Sequence, residues 1–493
     1  MDKKETKLGL TAKKENFSEW FSQICSESGA QLADIRYGVQ GCVVHRPWAM
    51  KILKKIYSEF EREVEADNHE PYLFPTMIPE ENLVKEKEHA GFTPEVFWVE
   101  TAGSQKLERR LALRPTGETQ IYPMYSLWIQ SHKDLPWKGY QSRITVFRNE
   151  MTTRPFLRGR EFMFFETHDV FAAHNEALKQ IETDMQIMDR VVKKKLKIPF
   201  VFFKRPKWDK FKGADDTFAS DSLNPDGRRN QISSTHDLGQ NFAKAFSIKF
   251  DAENGNKEFG FQTCFGPGIW RIMAALIATH GDDNGLILPV DFAPIQVAIV
   301  PITFANNPKS NMAVMKLCEE ARQIVAKTNL KAHIDTRDES PGYKFNDWEL
   351  KGVPLRIEIG PKDVEKSQVV IARRTDRKKT FAPIKELARL VVEQAIEVDK
   401  EISRRAEESF KDNTRTASTL EEAKKLLKEY KGFVKTPWCS TEMDGQKCAD
   451  IMSDETQGGV VCGTPNGREE KPEGNCIICN KPAKHTVYLA KSI

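Results

Sequence analysis

The chain has 493 residues, 39% of them hydrophobic and 30% charged, a balance that excludes a disordered polymer and is enough for several cores, so three domains are expected. Its formal net charge of +4 is small for that length, and it permits RNA binding through local patches without announcing it. No apolar run is long enough to span a bilayer, and the opening MDKKETKLGLTAKKENF mixes acids with lysines and lacks an apolar segment, so a cytoplasmic protein with no membrane partner is expected.

In chain order, Phe17, Trp20, Phe21 and Ile24 have helical spacing within 16–27. Residues 41–47 read as a short strand ended by Pro47, before a long helix with Met50, Leu53, Ile56, Tyr57, Phe60 and Val64 on one face and a stop at 68–71. The next apolar run, 72–78, contains Pro75, which assigns it as a strand at an edge or interface. This strand, helix and strand suit a dimer surface. Residues 111–119 read as a strand that breaks at Pro115 and Gly117 into a helix through Trp128. Thr116 and Glu118 on that loop admit two readings, a functional pair or an N-terminal capping pair, and composition alone favours capping.

Between 141 and 169 lie five arginines, Arg143, Arg148, Arg154, Arg158 and Arg160, among the apolar runs 144–147 and 162–165. Two antiparallel strands joined by a turn at 152–155 would hold the arginines over one surface, where their planar forks match phosphate or carboxylate oxygens. Interleaved Glu150, Glu161, Glu166 and His168 favour a mixed-charge ligand over the plainer reading, a charged edge strand. A helix follows over 175–196. Then comes a polar region, and the run 231–237, whose small hydroxyls and His236 could line a pocket. Glycines at 266 and 268 mark a strand-to-helix junction that puts Arg271 in a first helical turn, facing a ligand.

From 294 the texture becomes alternating strands (295–302, 330–335, 355–359, 368–372) and helices (312–328, 343–351), which implies a small, mostly parallel α/β domain before a helix at 381–410. Four of the nine cysteines are scattered, and five crowd the tail from Cys439 onward. Cys439, Cys448, Cys476 and Cys479 supply the ligand count of a closed, structural zinc site. Cys462 is the odd thiol and His485 a spare ligand; unliganded core cysteines are the alternative.

The quoted residues, in this order, resemble the three motifs of class II aminoacyl-tRNA synthetases. More narrowly, LRPTGET (113–119), RPFLRGRE (154–161), FFETH (164–168), KRPKWDKF (204–211), HDLGQNFAKAF (236–246), KGVPLRIEIGPKD (351–363) and the cysteine tail resemble prolyl-tRNA synthetase of the archaeal and eukaryotic type. The resemblance covers nearly the whole chain after the first fifteen residues or so. It implies an α+β catalytic domain with a mostly antiparallel class II sheet (1–289), an α/β anticodon-binding domain (290–400) and a small zinc-binding C-terminal α+β domain (401–493).

It also implies activation of proline by ATP with Mg²⁺, transfer to tRNA(Pro), and a homodimer around 41–47. By motif, Arg148 would hold the α-phosphate and the proline carboxylate, Glu150 would lie near the adenine, and Arg158 on the ATP. Gln231 and Ser234 would contact the nucleotide and Arg271 the γ-phosphate. Thr116 and Glu118 would meet the secondary amine, Phe164, Glu166 and His168 would form the ring pocket, and His236 would complete it. Glu358 is the candidate reader of anticodon guanines.

Four features depart from the family's pattern. The turn 151–154 is one residue shorter and lacks a Lys-His pair; the spacing from Gly266 to Arg271 is one longer; His168-Asp169-Val170-Phe171 replaces HTAH; and Ile493 stands where a terminal tyrosine is usual. A paralogue that binds RNA or a ligand without charging tRNA is the first alternative. A synthetase for threonine, glycine or serine is the second, opposed by Thr116 and Glu118 with Phe164 and His168, and by the lack of a catalytic metal ligand set in the first domain. Too little chain separates His168 from Phe261 for a large inserted editing domain.

Overall fold

The structure, a computed structural model, describes residues 10–90, 95–304, 307–430, 432–467 and 470–493. The opening read above for a targeting signal lies, up to residue 9, outside the described residues. Among the described residues no helix is long and apolar enough to cross a membrane.

The helix Pro47–Ala66 starts with proline in its first turn, where a missing N–H costs nothing, and buries Ile52, Leu53, Ile56, Phe60 and Val64 at three- and four-residue spacing. Phe60 packs on Phe165 and Phe265, with ring centroids 5.9 and 6.4 Å away, which lays this helix against the main sheet. A second helix, Ile269–His280, buries ten of its twelve residues. It is apolar nearly all round because it lies inside the core rather than on it.

That sheet has 11 strands. Near one edge stands the expected hairpin, Trp137–Phe147 against Glu161–Phe171, antiparallel, with Ile144 opposite Phe164 and Phe147 opposite Glu161. Phe261–Pro267 pairs with Glu161–Phe171, then Arg228–Gly239, Asp216–Leu223 and Val201–Lys204 follow, each antiparallel to its neighbour. The apolar run at 72–78 is not one strand: only Glu70–Pro71 and Met77–Pro79 pair, and between them Phe74 donates its N–H to the Gln141 side chain instead of to a ladder.

The tail extends the same sheet. Gly459–Pro465 pairs with Val201–Lys204, and His485–Ser492 runs parallel to Arg228–Gly239, setting Arg229 beside Ser492. Hydrogen bonding therefore runs without a break from the tail into the sheet that carries the arginine hairpin.

Residues 297–383 form a separate five-stranded sheet with its own apolar cluster. The expectation of a mostly parallel sheet is corrected: Ala332–Ile334, Val297–Pro301 and Leu355–Ile359 are parallel, while Gln368–Arg373 and Lys379–Pro383 are antiparallel. The connections into these last two strands are too short for a parallel crossover. The strand Lys379–Pro383 was absent from the sequence reading, and the helix expected at 381–410 spans Leu387–Asp412.

Candidate active site

A cavity of about 370 Å³ opens between the loop of the hairpin, the start of the helix Glu118–Trp128, and the strands Arg228–Gly239 and Phe261–Pro267. Thr116, Glu118, Arg148, Glu150, Arg158, Phe164, Glu166, Gln231, Ser234, His236 and Arg271, all expected to act together, line it.

One end is cationic. Arg158 donates through Nη1 to Glu150 Oε2 at 3.3 Å, and Arg271 donates through Nη1 to the Gln231 carbonyl at 3.3 Å. The backbone N–H of Arg148 is fixed by the Arg160 carbonyl at 3.0 Å, and the residue itself is exposed. Burial, then the nearby charges of Arg158 and Arg148, push the Arg271 pKa down to about 10. Guanidinium groups that repel one another in this way stabilise a bound polyanion.

The expectation of all five arginines over one surface is corrected. Arg143 sits at a bulge with φ 55°, and its guanidinium pairs with Glu61 at 2.8 Å. Arg154 turns to Ser18 and Ser22, and Arg160 donates to the Glu150 carbonyl at 3.0 Å. Arg148 and Arg158 are the two that reach the cavity.

The other end is small and carries carboxylates. Thr116 donates its hydroxyl to Glu118 Oε2 at 2.5 Å, and the helix begins at Gly117 with no side-chain cap, so the capping reading of this pair does not hold. A Cβ on Gly117 would lie 2.1 Å from Glu166 Oε1; glycine is what lets that carboxylate approach the loop. Glu166 also accepts from Gln141 Nε2 at 3.1 Å.

His168, expected on the wall of the ring pocket, is corrected to a place behind it. It is 1% exposed, with Nε2 at 3.1 Å from Glu166 Oε2 and Nδ1 at 2.9 Å from the Tyr122 hydroxyl. Burial opposes a charge on this ring, but Cys264 and Glu166 outweigh it and hold its pKa well above the ordinary value. His236 does line the cavity. Its pKa is pushed down to about 3, by burial first and then by His168, so the ring is neutral, and its Nδ1 shares a 2.9 Å hydrogen bond with Thr217.

Glu118, His168 and Cys264 place one potential ligand atom each within 4.8 Å of one another. The sequence reading, which found no metal ligand set in the first domain, did not bring these three together. The three stand far apart in sequence; strand register sets His168 opposite Cys264, and the start of the helix Glu118–Trp128 brings Glu118 to them.

Sequence reasoning also missed Asp221 and Arg229. Arg205 grips Asp221 with two bonds of 2.7 and 2.8 Å, donates to Gln231 Oε1 at 3.1 Å, and reaches the Cys462 carbonyl at 2.7 Å. Arg229 donates to Asp221 Oδ2 at 3.0 Å and to the Ser492 hydroxyl at 2.9 Å. Burial would raise the Asp221 pKa, but the two guanidiniums reverse that and hold it below the usual carboxylate range. The run KRPKWDKF contained Arg205; of its side-chain partners only Gln231 was singled out in the sequence.

In the tail, the sulfurs of Cys439, Cys448, Cys476 and Cys479 lie within 4.8 Å of one another. Cys462 contributes its carbonyl to Arg205 and stands outside that group, as does His485. In the five-stranded sheet Glu358 is 5% exposed and accepts from Arg356 at 2.9 Å and Lys379 at 2.7 Å.

A cationic cleft beside a small acidic pocket, built on an antiparallel sheet, defines a class. The family model for the tRNA synthetase class II core domain (G, H, P, S and T) matches residues 97–280, so the catalytic unit is that of a class II synthetase. Models for an anticodon binding domain and for the prolyl-tRNA synthetase C-terminal region match 296–394 and 420–493. The proline--tRNA ligase of Thermofilum pendens is 52% identical over 98% of this chain and 99% of its own, and that of Pyrococcus abyssi is 42% identical over 97% and 98%. A structure of Giardia lamblia prolyl-tRNA synthetase in complex with prolyl-adenylate superposes with a TM-score of 0.94 at 34% identity, covering 98% of this chain and 99% of that one. The chain belongs to the prolyl-tRNA synthetase family.

Proposed function

We propose that this chain joins proline to ATP in the cavity, releasing pyrophosphate, and then transfers the prolyl group to the 3′ end of tRNA(Pro). The observation that carries the reading is the convergence of Arg148, Arg158 and Arg271 on the cavity that also holds Thr116 and Glu118.

In the first step a proline carboxylate oxygen attacks the α-phosphorus of ATP. The bond to the bridging oxygen breaks and pyrophosphate leaves with that electron pair. Two anions must meet, and negative charge grows on the phosphoryl oxygens, so preplaced guanidiniums lower the barrier by position and by field. Arg148 spans the α-phosphate and the carboxylate, Arg158 holds the ATP, and Arg271 takes the γ-phosphate. Glu150 lies near the adenine, with Gln231 and Ser234 on the nucleotide. Mg²⁺ enters as part of the ATP substrate. In the second step a terminal ribose hydroxyl of the tRNA attacks the activated carbonyl carbon, and AMP leaves.

Proline's ammonium-type amine donates to Glu118, which Thr116 orients. Phe164 and Glu166 border the ring, with His168 behind Glu166 fixing it and neutral His236 closing the pocket. A side-chain nucleophile has no part in either step.

The four thiols of the tail fit zinc. Cys439 Sγ and Cys448 Sγ are 3.7 Å apart, against roughly 3.8 Å between thiolates that sit about 2.3 Å from a tetrahedral ion. Bound there, zinc would close the loop that carries Cys476 and Cys479 onto the strand after which Cys439 falls, and leave no position for chemistry. Domains over 1–289, 290–400 and 401–493, a cytoplasmic location, and a homodimer through 41–47 complete the reading. The dimer is supported by Ile35, Tyr37, Val39 and Val44, which are 67%, 67%, 52% and 47% exposed around that segment. Glu358, set between Arg356 and Lys379, is the anticodon residue.

Exchange of labelled pyrophosphate into ATP tests the activity. It should appear with proline and not with threonine, glycine or serine; no proline-dependent exchange by folded, zinc-replete protein would overturn the reading.

A further inference from the structure

Glu118, His168 and Cys264 meet beneath the small end of the cavity, and all three are buried, at 2%, 1% and 7% exposure. Their donor atoms, a carboxylate oxygen, an imidazole nitrogen and a sulfur, lie within 4.8 Å of one another. Around a tetrahedral zinc-like ion a thiolate and an imidazole nitrogen stand roughly 3.6 Å apart. Cys264 Sγ and His168 Nε2 are 3.9 Å apart, so closing on an ion needs only a small shift.

The surroundings favour this use. The Tyr122 hydroxyl holds His168 Nδ1 at 2.9 Å, which fixes the ring and leaves Nε2 for the ion, as partners behind metal-bound histidines do. Glu118 and Cys264 both line the cavity, so a fourth coordination position would open into it. Three protein ligands with one open position is the pattern of sites that exchange ligands, unlike the closed four-thiol set of the tail. One contact opposes it: Glu166 Oε2 is 3.1 Å from the same Nε2. The Gln141 side chain retains Glu166 through its other oxygen at 3.1 Å, so an ion displaces the Oε2 contact while the carboxylate stays anchored through Oε1.

We propose that Glu118, His168 and Cys264 form a second metal site, which takes a thiophilic divalent cation of the zinc class when the amino-acid pocket is empty, and that this cation and proline exclude one another. The exclusion rests on the reading above in which Glu118 receives the proline amine; the metal site does not. Binding displaces to solvent both the thiol proton of Cys264 and the proton that His168 Nε2 shares with Glu166, and sets a cation where the amine would stand.

Full-length protein is given one equivalent of zinc per chain, which fills the four-thiol set, and is titrated with Co²⁺, whose thiolate complexes absorb in the near ultraviolet. The expected result is one added equivalent with that absorption, absent in Cys264→Ser, weakened in the nearly isosteric Glu118→Gln, and removed by saturating proline. No such absorption in the unaltered protein, or absorption that persists in Cys264→Ser, overturns the metal site. Absorption that depends on Cys264 yet survives saturating proline overturns the exclusion, and with it the placement of proline at Glu118, while proline-dependent exchange reports separately on the activity.

Discussion

Arg158 donates through Nη2 to the carbonyl of Ile493 at 3.1 Å, across 335 positions of sequence. The same guanidinium lines the cavity and holds Glu150. The last strand of the tail thus helps to orient a group assigned to ATP. Removing residues 492–493 leaves Arg158 with Glu150 alone and also strips the Ser492 hydroxyl from Arg229. A hydrogen bond to a charged group is worth about 1.5 kcal/mol or more, so kcat/KM for ATP should fall by roughly tenfold. Steady-state exchange kinetics on a truncated chain of unchanged melting temperature checks this, and an unaltered kcat/KM contradicts it.

Zinc in the tail should matter beyond the tail. Gly459–Pro465 and His485–Ser492 are strands of the same sheet as the arginine hairpin, so loosening them exposes the edge of Val201–Lys204 and the Arg205 network. Chelation, or Cys476→Ser, should lower the melting temperature and reduce proline-dependent exchange together. Bound zinc measured by atomic spectroscopy, with no loss of stability on its removal, would rule out a structural role.

Glu358 is buried between two cations; Arg356 also donates to Glu349 at 3.0 Å, and the Lys379 side chain is half exposed to solvent. Glu358→Ala should therefore leave pyrophosphate exchange intact while tRNA(Pro) charging falls by about tenfold or more, the loss of one charge-assisted contact. Equal loss in both assays would mean that the side chain serves the fold and reads no base.

The hairpin was legible because its apolar runs alternate as strands do and the arginines interrupt them in a pattern no core would tolerate. Thr116, Glu118, Gln231, Ser234, His236 and Arg271 were placed by family motifs, and the cavity unites them. What stayed hidden depends on register. Cys264 meets His168, and Asp221 meets Arg205 and Arg229, only because separate strands pair in one alignment. The junction of the tail with the sheet was hidden for the same reason: a strand's sequence does not name its neighbour. Arg143 and Arg154 misled because composition cannot tell which face a bulge or a turn presents.

Burial pushes the His280 pKa down to about 4, outweighing the acceptance of its hydrogen bond by the Leu196 carbonyl at 2.8 Å. An unfolded histidine takes a proton near pH 6.5, whereas this one stays neutral until about pH 4. Its contribution is therefore whole above pH 6.5 and is lost as the pH falls toward 4, by up to about 3 kcal/mol. His280→Gln should flatten that part of the stability profile, followed by denaturant melts at pH 7, 6 and 5; parallel profiles for the two proteins would contradict the assignment.

Arg148 offers the most direct test of guanidinium-driven adenylate formation. Proline-dependent pyrophosphate exchange by Arg148→Ala should drop by about 100-fold or more, with the melting temperature held, because the residue is exposed and its removal leaves no buried partner unpaired. Exchange at the rate of the unaltered chain, with only tRNA affinity reduced, would mean that the hairpin binds RNA and that the adenylate is made elsewhere.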